Sequence, residues 1–238
     1  MDSPTSASSI ANYYHKNFLA DEGESTDKEV EQEAVTSACE LAARYMKHCS
    51  EPQRIIEFYS PRYLRKPTWS DLQKIYEVHS NLQGLPGMIG SLDCRHWQWY
   101  NCPTAWRGQH TQGDQDGPTV ILQAVASQDL WVWSAYFGVA GSCNDLNVFD
   151  QSPLVEDYIS GRAVKASFYA NENYYPHGYY LCDGIYPRYS IVVKTFRDPY
   201  NEKKAYFKKV QEYSQKDIDR CFGVLQQRWH YLRNLCRA

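Results

Sequence analysis

Three runs of β-forming residues, MIGSLDCRHWQWY from Met88, PTVILQAVAS from Pro118 and LWVWSAYFGV from Leu130, limit the folds open to this chain more than any other feature. LPGMIG supplies the break before the first run, and only a short Gln-Asp connection separates the second from the third, so the three read as a meander. A meander has two faces to cover, and the rest of the chain offers helices for both. Apolar residues recur at helical spacing from Lys28 to His48 (Val30, Ala34, Val35, Ala38, Leu41, Ala42, Tyr45), and a second helix is expected from Ser70 to about Leu82. Asn144 or Asp145 can cap a helix running through Val148, Leu154 and Tyr158. VKASFYA and HGYYLCDGIYP then read as two strand-like segments, the second stopped by Gly184 and Pro187, and SIVVKTF as a last strand. From about Asn201 to Leu235 a stripe of Phe207, Val210, Ile218, Phe222, Leu225 and Trp229 marks a long helix.

The order strand, strand, strand, helix, strand, strand, long helix predicts one α/β layer structure, a mixed sheet flanked by helices, and it is the order in which the RNase H-like fold begins. The chain divides into a Ser/Thr-rich and then acidic tail over residues 1–27, expected to be disordered, an N-terminal helical region over 28–84, and the α/β domain over 85–238. With 238 residues, 43% of them hydrophobic, it can bury a full core. No apolar run approaches the roughly 20 residues of a spanning helix and the N-terminus lacks a signal-peptide pattern, so the expectation is an intracellular protein with no membrane association. Eight scattered cysteines without a C-x-x-C pair read as free thiols rather than a disulfide framework or a structural zinc site. The net charge of −3 hides an uneven distribution: Arg62, Arg65 and Lys66 cluster, as do Arg188, Lys194, Arg197, Lys203, Lys204, Lys208 and Lys209.

An aspartate inside the first β-run, Asp93, is disfavoured both by strand propensity and by burial. Three further acids fall where an RNase H-like plan places its carboxylates or close to it: Asp183 at the end of GYYLCD, Asp219 on the last helix, and Asp145 at the head of the intermediate helix. Carboxylates brought together from distant parts of a chain repel one another and raise their own pKa values, which makes physical sense mainly as a site for cations. Two divalent cations about 3.5 to 4 Å apart activate a water or a 3′-hydroxyl and stabilise the leaving oxygen of a phosphodiester, and such hard ions take oxygen ligands. Taken singly, Asp145 also reads as a cap, Asp183 as a turn residue before Gly184, and Asp219 as a solvent-facing residue near Arg220 or Lys216; only the joint pattern favours a site. His96 and His110 have no Ser or Cys partner at an informative spacing, Trp97, Trp99, Trp131 and Trp133 read as core aromatics, and the tyrosines from Tyr174 to Tyr180 read as packing rather than base-stacking residues.

GLPGMIGSLDCRHWQWYNCPTAW, FGVAGSCNDLNVFDQSPL, GYYLCDGIYP and QKDIDRCFGVLQQRW resemble, in this order, the four motif blocks of the plant branch of the PIF/Harbinger transposase superfamily, over about Tyr63 to Trp229. The resemblance implies an RNase H-like DDE nuclease domain that cuts and joins DNA with Mg²⁺ or Mn²⁺. By motif, Asp93 and Asp183 match the acids that bind metal and generate the nucleophile, Asp145 matches a further acid of the metal site, and Asp219 stands where the family's V-E-R-A-F-G-V-L block has glutamate. It also implies DNA as substrate, a Myb-like DNA-binding partner protein, and a nuclear location with the cytoplasm as a second compartment. Two further departures accompany Asp219: residues 28–60 are expected to keep only part of a helix-turn-helix region, and the domain is expected to be C-terminally truncated at Ala238. The competing expectation is a catalytically inactive, domesticated or truncated descendant serving as a nuclear protein-interaction module, since a fold can outlast its chemistry.

Overall fold

The computed structural model describes residues 61–63, 65–113, 115–187 and 189–229. The tail over 1–27, the first helix and helix-turn-helix remnant up to residue 60, Arg188, and the end of the last helix at 230–235 lie outside the described residues. The elements in chain order are α1 (Trp69–Gln83), β1 (Met88–Gln98), α2 (Thr104–His110), β2 (Thr119–Ala126), β3 (Val132–Ala140), α3 (Asp145–Asp150), α4 (Pro153–Ile159), β4 (Phe168–Ala170), β5 (Asn173–Tyr175), β6 (Tyr179–Cys182), β7 (Val192–Lys194) and α5 (Glu202–Arg228).

The main sheet has five strands in the order β3-β2-β1-β6-β7. The meander of β1, β2 and β3 is antiparallel, and β6 and β7 add to it in parallel, so the sheet is mixed and consistent with an RNase H-like fold. Alternation along β1 sorts its side chains onto two faces. Ser91 hydrogen-bonds α5 through the Ser214 carbonyl at 3.0 Å, and Trp97 packs with Ile218, Cys221, Phe222 and Leu225 of α5, so the odd-numbered residues face that helix. Leu92 lies on the opposite face, in a cluster with Val125, Phe149 of α3 and Val155 of α4. Gly90 has no alternative at its position: a Cβ there would stand 2.6 Å from the Ala126 carbonyl oxygen on β2.

The N-terminal end of α1 is fixed by local chemistry. Thr68 accepts from the Asp71 N–H while the Asp71 carboxylate accepts from the Thr68 N–H, a capping box, and Gly84 closes the other end with φ +67°. Arg65 pairs with the same Asp71 at 2.5 Å, which holds that carboxyl well below the usual carboxylate range.

Five local expectations need correction. The single helix from Asn144 or Asp145 through Tyr158 is two helices, because Pro153 cannot donate to the turn before it and instead opens α4 after Ser152. The strand-like VKASFYA narrows to β4, which turns at once into β5 through Asn171 and Glu172, both with positive φ (49° and 66°). Tyr174 and Tyr175 on that hairpin are 57% and 43% exposed instead of packed, whereas Tyr179 and Tyr180 do join the interior. Of the four strand tryptophans Trp97 and Trp99 are buried, while Trp131 and Trp133 are only half-buried. A short helix, α2, forms after β1, where Pro103 ends the aromatic run. Among the described residues Cys94, Cys102, Cys143, Cys182 and Cys221 are free thiols, and no helix is long and apolar enough to cross a membrane.

Phe222, 1% exposed in the cluster between α5 and β2, makes the seating of the last helix testable. Phe222→Ala is expected to lower unfolding stability by about 3–5 kcal/mol in a denaturant titration, as a cavity under a long helix should.

Candidate functional site

Asp93 occupies an odd position on β1 and so projects to the α5 face; its partner across β2 is Ala124, a side chain small enough to leave room for a carboxylate. On its other side, β1 and β6 run parallel with Ser91 opposite Leu181. Two residues beyond that pair come Asp93, still on β1, and Asp183, the first residue past the end of β6. Leu181 packs against Phe207 and Val210 of α5, on the strand that leads into Asp183.

Asp145 is the first residue of α3, behind the Asn144 cap whose side chain accepts from the Asn147 N–H at 2.8 Å. Asp219 lies on the exposed edge of α5. The neighbouring Asp217 is fully buried and takes Arg220 as its ion-pair partner, so Arg220 is engaged by the inward acid.

Electrostatics tie the four acids into one group. Burial pushes the Asp93 carboxyl up to about 7, a hydrogen bond from the Cys94 N–H opposes this, and repulsion from Asp145, Asp219 and Asp183 adds to the rise. The three other sequence-predicted acids therefore all act on Asp93. Among the described residues, no three His, Cys, Asp or Glu side chains close onto a common ligand point. The donor set, carboxylate oxygens alone with one proton held on Asp93, is the chemistry that hard divalent cations take. The thiols beside it do not compete: burial raises both Cys94 and Cys182 to about 12, so they stay protonated. Asp183 also has a local task, accepting from the Ile185 N–H at 3.0 Å through Oδ1, as its turn reading expects.

Several residues around the site were not visible in the sequence reading. Tyr186, fully buried, donates to Cys94 Sγ at 3.4 Å, and Lys194 Nζ donates to the Tyr186 carbonyl at 2.7 Å, fixing the loop after Asp183. Gln211 of α5 donates to the Cys182 carbonyl at 2.9 Å. The basic residues divide. Arg65 and Lys66 are committed to Asp71 and Asp157, at 2.5 and 2.6 Å, and Lys204 lies over the rings of Phe196 and Tyr200. Lys203 and Lys209 are exposed on α5.

A family model described as "Plant transposon protein" matches residues 61–238. No curated protein and no solved structure matches the chain.

The raised Asp93 value fixes a sign. Between the ordinary carboxyl pKa of 3.8 and about 7 the folded state holds a proton that the unfolded chain has released, so stability is lost as pH rises through that window. In EDTA the melting temperature is expected to fall from pH 5 to pH 8, and Asp93→Asn to flatten that slope and raise the melting temperature at pH 8. An unchanged slope in the variant would place the titration elsewhere.

Proposed function

The chain belongs to the plant transposon protein family, and on that premise we propose that it is a transposase-derived, divalent-metal-dependent DNA endonuclease of the PIF/Harbinger type. The observation that supports the reading is the raised Asp93 carboxyl, buried in β1 and repelled by Asp145, Asp219 and Asp183, three acids far from it and from one another in sequence. In this nuclease site Asp93 and Asp183 would hold Mg²⁺ or Mn²⁺ and generate the nucleophile, Asp219 would complete the second coordination sphere, and Asp145 would assist. When bound, the cations supply Lewis-acid activation of a water or 3′-hydroxyl and neutralise charge on the leaving oxygen.

The chain's own residues prepare that chemistry. β1 holds Asp93, and the end of β6 leads directly into Asp183, so both would be carried by the sheet rather than by a long loop. Asp93 must give up its proton when it becomes a ligand, so loading is favoured by rising pH. Buried Tyr186 and the two neutral thiols line the acids with groups that add no charge. Lys203 and Lys209, exposed on α5, would meet backbone phosphates. Asp219 reaches less far than the glutamate it replaces, and α5 has to bring it close enough to compensate. Nuclear action on duplex DNA, alongside a Myb-like DNA-binding protein, follows from the same family premise.

Thermal melting in EDTA and then in Mg²⁺ or Mn²⁺ tests the reading, since a ligand that binds only the folded state raises the melting temperature by mass action. A rise is expected for the wild type and none for Asp93→Asn. A cooperative melt that no cation shifts would contradict the nuclease reading and favour an inactive scaffold. Binding to duplex DNA is expected to weaken as salt increases, and salt-independent binding would remove Lys203 and Lys209 from the account.

A further inference from the structure

Gln211, Gln215 and Asp219 follow one another at intervals of four on α5, so they form a single ridge of the helix. The first two both engage the peptide that joins Cys182 to Asp183. Gln211 Nε2 donates to the Cys182 carbonyl at 2.9 Å. The Gln215 amide, turned so that its oxygen meets the Asp183 N–H, accepts from it at 2.9 Å and donates to the same Cys182 carbonyl at 3.3 Å, exchanging the bond from Gln211 Nε2 to Gln215 Oε1 for a 3.0 Å approach of the two amide nitrogens. Both polar atoms of one peptide group at the end of β6 are thus taken by side chains of the helix that carries Asp219.

Gln211 is fully buried, and its Oε1 has no hydrogen-bond partner among the described residues. A leucine would fill such a position without leaving a buried oxygen unpaired, so packing alone does not explain an amide there. A role in placing the Cys182–Asp183 peptide does. Farther along, Ser91 Oγ donates to the Ser214 carbonyl at 3.0 Å, which ties the strand that carries Asp93 to the same stretch of α5.

We propose that Gln211 and Gln215 are positioning residues which dock the Cys182–Asp183 peptide on α5 and so set the separation of Asp183 from Asp219. The inference rests on the metal-site reading above and extends it to residues that touch no metal. The clamp acts on a main-chain group, so its effect on Asp183 does not depend on the rotamer of the aspartate. It also bears on the shorter acid at position 219: with the next ridge position already docked on β6, Asp219 is carried toward Asp183 by the helix itself.

Gln215 is half-buried, so its replacement tests the clamp without opening the core. Two variants are used in the full chain: Gln215→Met, close in volume, and Gln215→Ala, which helix propensity favours. Three quantities are read: the melting temperature in EDTA, the Mn²⁺ dissociation constant by calorimetry, and the hydrogen-exchange rate of the Asp183 amide. Both variants are expected to melt cooperatively, to exchange the Asp183 amide faster than wild type, and to bind Mn²⁺ about 10–100-fold more weakly, the usual consequence of losing a residue that orients a ligand. Faster exchange with an unchanged Mn²⁺ constant would overturn the positioning role and leave the metal site standing. An unchanged exchange rate would overturn the clamp itself. Wild-type protein that binds no Mn²⁺ would overturn the metal reading, and this inference with it, before any variant is compared.

Discussion

α5 crosses the face of the sheet formed by β1, β2 and β6, and the packing of Ile218, Cys221, Phe222 and Leu225 against Trp97, Leu122, Ala124 and Ala126 holds it there. The small side chains of β2 matter as much as the large ones of the helix. Ala124 and Ala126 let the helix approach closely, and Ala124 leaves the space beside it into which Asp93 projects. Apolar burial of this kind is non-directional, so it secures the helix without fixing its rotation or its position along its axis. Direction comes from the polar contacts at its edge, Ser91 to Ser214 and Gln211 with Gln215 to the Cys182–Asp183 peptide. The helix that completes the hydrophobic layer is thereby also the one that carries Asp219.

That arrangement carries an electrostatic cost, which the structure confines. Asp93 sits where burial and three other carboxylates disfavour its charge, and a proton retained to about pH 7 relieves part of the repulsion. Nearby acids that serve the fold are treated differently. Asp71 receives a guanidinium and two hydrogen bonds from Thr68, and Asp157 receives Lys66 and Arg162, so both are held below the ordinary range. The contrast separates aspartates whose charge is held by partners from Asp93, whose charge its surroundings disfavour.

Much of this was legible in the sequence, and the reasons are specific. The strands of the meander are long and rich in β-formers, α1 has its capping pair Thr68 and Asp71, and α5 has an apolar stripe from Phe207 to Leu225, so each declares itself locally. Asp93 was legible because a strand interior rejects aspartate. What the sequence hid depends on contacts between distant residues. The β4–β5 hairpin turns through Asn171 and Glu172, without the glycine that usually announces such a turn, and its tyrosines face water for want of a covering element. The break before α4 could have been read from Pro153, a residue that opens helices as readily as it interrupts them. Between two aspartates in DID, only the burial of Asp217 shows which one faces the site edge. Gln211 and Gln215 carry no motif; their spacing from Asp219 becomes meaningful only once β6 is known to end beneath them.

The most direct measurement of the central claim is the anomalous scattering of Mn²⁺ in crystals of the wild-type protein. The account predicts a peak coordinated by carboxylate oxygens of Asp93 and Asp183, with Asp145 and Asp219 around it and the Cys182–Asp183 peptide still docked on Gln211 and Gln215. Crystals grown at pH 8 in millimolar Mn²⁺ that show no peak at these residues, or a peak held by other side chains, would contradict it.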